Sequence, residues 1–256
     1  MNKEDGYKER FKQALISTVK VISEDYNIKK DQNKNFSSKN YNFFELENLN
    51  INEDYIKLRA ETDSEALKRK FSNNNIYQKN LPKNTSCKLL YNLSEQIRYE
   101  VLGTKMLNGI SKNLKENYSY KLSLKKKDQL KSKDDVKIEE AFELYMLKNF
   151  MEIKLNSLSE KILNYWEEDF KNSFSKHIQY LYKNLENQNS YNSKFSEILQ
   201  NMEIFKSENN EDKEQAQEDN EQDKNNSNNN DAKEDSQSNE TGEEDNLREG
   251  LDGVDD

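Results

Sequence analysis

Apolar side chains return every three or four positions from Tyr7 onward. Phe11, Leu15 with Ala14, Val19, Ile22 and Tyr26 share one face, which predicts a helix over residues 4–28. Residues 29–40 are polar and Asn-rich and read as a loop. The stretch YNFFELENLNINEDYIKLRAE alternates imperfectly, so one or two short strands are expected near 41–59. Thr62 or Asp63 then stands where a side-chain oxygen caps a short helix over SEALKRKF. Residues 73–80 break the pattern.

After Pro82, Thr85 or Ser86 starts a longer helix of about 86–114. Its stripe is Leu89, Leu90, Leu93, Ile97, Val101, Met106, Leu107, Ile110 and Leu114. Gly103 and Gly109 fall inside it, and each disfavours a helix by about 1 kcal/mol relative to Ala. A close helix crossing or a local break is therefore expected there. Residues 115–133 read as an exposed basic loop. Helices follow at about 135–151, at about 157–186 (Leu158, Ile162, Trp166, Phe170, Phe174, Ile178, Leu181, Leu185) and at about 191–205. Such broad stripes must be buried against one another, so the fold class expected is mainly α, a bundle-like domain.

Composition changes that picture at one end. The net charge of −9 over 256 residues belongs to the segment after Phe205, where 19 Asp/Glu face 5 Lys/Arg. Residues 206–256 contain no aromatic and few apolar side chains, too few to offset the entropy of ordering, and read as a disordered acidic linker or tail. The expected division is a helical domain over 1–205 and this tail over 206–256. Only six glycines and one proline occur, which argues against a turn-rich sandwich or barrel.

The chemistry that is missing narrows the function. No G-x-x-x-x-G-K-[ST] loop occurs, so the chain is not expected to hold ATP in the P-loop manner. Cys87 and His177 are the sole residues of their types, a weak basis for a transition-metal site. Acidic runs such as EEAFE and WEEDF read as solvated helix faces, and the run at 125–127 as a solvated loop. No stretch is long and apolar enough to span a bilayer, so no membrane partner is expected and the localisation expected is cytoplasmic.

Two segments carry a resemblance. LRAETDSEALKRKF supplies Arg59, Asp63, Ala66 and Leu67 at the spacing Arg-x-x-x-Asp-x-x-Ala-Leu. YNLSEQIRYEVLGTKMLNGISKNL supplies Glu95, Gln96, Arg98, Glu100, Gly103, Met106, Gly109, Asn113 and Leu114, with Pro82 ahead of it. Both resemble the T subunits of the aerobic, ATP-dependent cobaltochelatases (the CobT family). A weaker match runs from LNYWEEDF, Trp166 included, to the NMEIF end. The acidic tail is similar to that family's charged linker. Residues 73–80 depart from it, being Asn-rich where the family tends to carry histidines. Beyond the linker the family has a von Willebrand factor A domain with an Asp-x-Ser-x-Ser motif. The nearest string here, Asp235-Ser-Gln-Ser, has the wrong spacing, so the expectation is of an N-terminal region plus linker.

The resemblance implies a subunit that joins an AAA+ ATPase S subunit (CobS) in a hetero-oligomeric motor acting on the large N subunit (CobN). That enzyme inserts Co²⁺ into hydrogenobyrinic acid a,c-diamide in cobalamin (vitamin B12) biosynthesis. It implies no cofactor in this chain, ATP and Mg²⁺ being bound by the ATPase and cobalt by the corrin-binding subunit. The chain alone is expected not to be catalytic. On the residues themselves, the Glu95–Gln96–Arg98–Glu100 cluster reads either as a polar clasp between helices or as a contact with a partner. Two other readings compete. One is a helical scaffold with an acidic arm. The other is a nucleic-acid binder whose body carries 35 Lys/Arg against 30 Asp/Glu, although no interleaved aromatics favour it.

Overall fold

The computed structural model describes residues 3–26, 52–124, 130 and 132–205. Among them ten α-helices and two short 3-10 turns occur and no strand. α1 (Lys3–Ser23) lies on α2 (Asn52–Phe71), and α2 packs on α4 (Thr85–Met106) and α5 (Asn108–Leu124). The short α3 (Asn74–Lys79) lies against α10 (Gln188–Asn201), which also packs on α4. α6 (Ile138–Phe150) contacts α4, α7 (Ser157–Asn164) and α8 (Glu167–Phe174), and α9 (Ile178–Lys183) leads into α10.

α6 is apolar almost all round, with Ala141, Phe142, Leu144, Tyr145, Met146, Leu147 and Phe150 buried, which is the pattern of a central helix. The Phe142 ring sits 5.5 Å from Phe170, 5.7 Å from Phe174 and 5.9 Å from Phe195, centroid to centroid. Edge and tilted geometries of this kind add about 0.5–1.5 kcal/mol per pair beyond area burial. They tie α6, α8 and α10 into one core.

Several sequence expectations change. The segment 52–59, expected as strand, is the first half of α2; residues 41–51 lie outside the described residues. Asn52 to Phe71 runs unbroken, so Thr62 and Asp63 are mid-helix and cap nothing; the Thr62 hydroxyl donates back to Leu58 O at 2.7 Å. Residues 74–79 form α3, because Asn73 Oδ1 accepts from the N–H groups of Asn75 and Ile76 and caps it. The basic loop expected over 115–133 is helical through Leu124, with Tyr118 and Leu122 buried; 125–129 and 131 lie outside the described residues.

The long helix expected over 157–186 is three helices. α7 stops at Asn164, and Glu167, Glu168 and Asp169 occupy the first turn of α8, where carboxylates suit a helix N-terminus. A second break falls at 175–177, where His177 N–H donates to Phe174 O at 2.8 Å. The inward stripe survives both breaks: Ile162, Phe170, Phe174, Leu181 and Leu185 stay buried. At the α4–α5 junction Leu107 is extended (φ −141°, ψ 124°) and serves both helices, donating to Gly103 O and accepting from Ser111 N–H. Tyr7, Tyr26, Leu89, Met106 and Leu107, counted in apolar stripes, are exposed. The first two lie near the ends of the α1 segment, and the last two at the α4–α5 vertex. Met151, Ile153 and Leu155 extend the core along the α6–α7 connection, which Glu152 enters with φ 55°.

Candidate functional site

The family-like residues of α4 sit in the middle of its buried face. Tyr91, Ser94, Glu95, Arg98 and Val101 recur at helical steps and are all buried, Arg98 to 1% exposure and Glu95 to 4%. A charged pair at that depth must be paired and hydrogen-bonded to persist. It is. Arg98 Nε donates to Glu95 Oε2 at 2.8 Å and Nη2 to Glu95 Oε1 at 2.9 Å. The guanidinium then reaches both sides of the fold: Nη2 donates to Phe71 O, at the end of α2, at 2.6 Å, and Nη1 to Leu185 O, ahead of α10, at 2.7 Å. The planar fork of Arg suits this four-way arrangement, and an ammonium would not reproduce it.

Glu95 is held from outside α4 as well. Its Oε1 accepts from Ser72 Oγ at 2.6 Å and from Gln188 Nε2 at 2.9 Å. Gln188, first residue of α10, crosses to α3's cap: its Oε1 accepts from Asn73 N–H at 2.7 Å and its Nε2 donates to Asn73 O at 3.2 Å. The Arg98–Glu95 pair thus fastens α2, α3 and α10 onto α4.

A second cluster lies further along the same helix. Glu100, 1% exposed, accepts from Ser64 Oγ on α2 at 2.6 Å, Gln96 Nε2 at 3.0 Å and Tyr118 Oη on α5 at 2.7 Å. All three donors are neutral. Burial therefore raises the Glu100 carboxyl above the usual carboxylate range, against the lowering by its donors and by Lys121. Burial beside that carboxylate likewise pushes the Tyr118 phenol well up. Next to it Asp63, 2% exposed, accepts from Asn113 Nδ2 at 2.7 Å, and burial raises its carboxyl also. Ala66 and Leu67 are fully buried, and Leu67 meets Gly103.

The structure thus gathers Glu95 and Arg98 where α2, α3 and α10 meet α4, and Asp63, Gln96, Glu100, Gly103 and Asn113 where α2, α4 and α5 meet. It does not gather all the named residues. Arg59 is exposed and reaches the group only as a charge felt by Asp63. Gly109 is exposed at the start of α5 with open space where a Cβ would stand. Trp166 belongs to another contact: its Nε1 donates to Val136 O at 3.1 Å while Lys133 Nζ lies 4.0 Å over its ring and 2.7 Å from Asp169 Oδ2. Ser64, Ser72, Tyr118 and Gln188 escaped sequence reading. Their glutamate partners lie 23 to 93 positions away, except for Tyr118 at 18, and no local pattern marks them.

Over the clasp lies an open groove of about 720 Å³, walled by the end of α2 with Ser72 and Asn73 on one side and by residues 186–189 on the other. A smaller cavity of about 310 Å³ lies between α8 and α10, beside His177. Among the described residues no group of three or more His, Cys, Asp or Glu is placed to hold a metal ion, and no helix is long and apolar enough to cross a membrane.

A helical module whose motif residues lock helices together, with their polar atoms turned inward, is the class of protein this geometry defines. The family model described as cobalamin biosynthesis protein CobT matches residues 6–254, and the chain belongs to that family. No solved structure matches it.

Proposed function

We propose that this chain is the assembly and coupling part of an ATP-dependent cobaltochelatase. In this reading it docks on an AAA+ ATPase subunit and transmits ATP-driven motion to a large corrin-binding subunit. The reaction served is insertion of Co²⁺ into hydrogenobyrinic acid a,c-diamide in the cytoplasm. ATP and Mg²⁺ belong to the ATPase and cobalt, as substrate, to the corrin-binding subunit; this chain supplies no catalytic group.

The observation that carries the reading is the state of the family-like residues. Glu95, Arg98 and Glu100 have their charges and donors engaged by Ser64, Ser72, Tyr118, Gln188 and two main-chain carbonyls. Groups so engaged stabilise a shape. A general acid or base would instead need a polar atom within reach of a substrate. A body whose helices are tied together in this way suits a part that must carry force between a motor and its client.

The test is reconstitution. The full chain, mixed with the ATPase and corrin-binding subunits of its own system, should co-purify with the ATPase and change its hydrolysis rate. Cobalt incorporation, followed by the corrin absorption spectrum, should depend on its presence. A chain that neither binds the ATPase nor alters cobalt insertion would sink the proposal.

A further inference from the structure

We propose that the groove over the Arg98 clasp is a docking site for an extended, Asp/Glu-rich peptide segment of a protein partner. The acceptors around the groove point inward. Arg98 draws inward Phe71 O, from the α2 wall, and Leu185 O, from the buried residue just ahead of the other wall. Gln188 and Asn73 exchange their bonds with each other. Three asparagines of the lining do the same with their side-chain oxygens. Asn73 Oδ1 accepts from Asn75 and Ile76 N–H, Asn187 Oδ1 from Ser190 N–H at 3.0 Å, and Asn189 Oδ1 from Asn80 Nδ2 at 3.4 Å.

An amide whose oxygen faces inward presents its NH₂ to the outside. For Asn73 and Asn187 that orientation is imposed by the main-chain N–H groups they cap, since a nitrogen there would face a donor with a donor. These asparagines are exposed, and no bond from any of their amide nitrogens to a described residue occurs. Arg69 and Lys70 add cations to the same lining, against the single carboxylate of Glu186. The partners of Arg69 include Glu65, at 3.1 Å, and Lys70 pairs with Glu24; ion pairs on or near the protein surface are worth about 0–1 kcal/mol and exchange readily.

A mouth made of N–H donors and cations selects a ligand made of acceptors. Carboxylates offer about four acceptor directions each and no donor, and bonds to them are roughly twice as strong as neutral ones. An extended segment fits the open shape, and its main-chain carbonyls match the amide nitrogens between the acidic side chains. A nucleic acid suits it less, because affinity for phosphates grows with the number neutralised and this lining offers two cations. The inference holds for any partner carrying such a segment, so it does not depend on the chelatase reading.

The test uses the full chain and an isosteric reversal. Asn73→Asp, Asn187→Asp and Asn189→Asp together keep every inward oxygen, and Asp caps a helix as well as Asn. Each outward NH₂ becomes an oxygen. A control with Asn108→Asp, Asn164→Asp and Asn201→Asp, all exposed elsewhere, adds the same net charge. The probe is a short fluorescein-labelled peptide of alternating Glu and Gly, read by anisotropy at low salt, with hydrogen exchange to place it. The expected result is protection of residues 69–73 and 186–190, and affinity weakened about tenfold or more by the groove variant but not by the control. Equal binding by the groove variant and the control overturns the proposal, as does protection elsewhere. A single-stranded oligonucleotide binding as tightly as the peptide at the same site would overturn the peptide assignment. Self-association abolished only by the groove variant would place a second copy there instead.

Discussion

A Cβ built on Gly103 would stand 2.3 Å from Leu67 Cδ1, closer than real carbon atoms approach, so α2 and α4 cross where only a hydrogen fits. Leu67 is fully buried and cannot swing aside into solvent. Gly103→Ala gains about 1 kcal/mol of helix propensity but overpacks a contact where such insertions cost about 1–3 kcal/mol. The expected net is a loss of up to about 2 kcal/mol, larger for Gly103→Leu. Gly109→Ala meets open space and should stabilise the chain by up to about 1 kcal/mol. Urea denaturation of the pair checks both signs at once, and equal effects at the two sites would refute the crossing.

Arg98→Ala should destabilise strongly, by about 3–5 kcal/mol, because it strands Glu95 as a buried charge and leaves the carbonyls of Phe71 and Leu185 without their donor. Arg98→Lys should recover only part of this. Circular dichroism against urea measures it. Loss of partner binding with unchanged stability would mean that Arg98 acts at a surface after all.

The pH dependence of stability should carry the signature of Glu100. Its carboxyl is raised in the folded state, so its contribution is fully present below the unfolded value of about 4.5 and is lost as pH rises through the folded value. Asp63 is raised for the same cause and works in the same direction. The neighbours facing Glu100 are Ser64, Gln96, Tyr118 and, at longer range, Lys121. Glu100→Gln removes the ionisation while keeping an acceptor in place. Its stability relative to the wild-type chain should therefore be higher at pH 8 than at pH 5. A difference independent of pH would show that Glu100 titrates normally.

The only tryptophan reports on the 132–136 turn. Lys133 lies over the Trp166 ring and bonds Asp169, so Lys133→Met removes a cation–π contact and a partly exposed ion pair together. The expected cost is about 1 kcal/mol, with a change in Trp166 emission at neutral pH. An unchanged spectrum would mean that the ring and the ammonium are not in contact in solution.

What the amino-acid pattern revealed was burial along helices. Leu15, Val19 and Ile22 in α1, and Phe170 and Phe174 in α8, are inward as their spacing implies. Helix breaks without Gly or Pro were hidden, because the stripe from Ile162 to Leu185 keeps its phase across two of them. Strand and helix were confused at Tyr55 and Ile56, where a few apolar residues satisfy both periods. The clasp was half visible. The Glu95–Gln96–Arg98–Glu100 cluster falls beside the apolar stripe of Leu90, Ile97 and Val101, which left an internal clasp and a partner contact both open, and the structure buries Glu95, Arg98 and Glu100 with that stripe. Which group they meet, Gln188 or Leu185 O, depends on tertiary packing that no local spacing encodes.

Cys87 is the sole cysteine, has no exposed surface, and sits with its sulfur 3.9 Å from Leu199 O between α4 and α10. The native chain is consequently silent toward thiol reagents as long as those helices stay together. A spectroscopic label can be attached at any chosen surface cysteine without first removing the natural one. The same sealed sulfur is a built-in timer: the rate at which a thiol reagent finally finds it reads how often α10 lifts from α4.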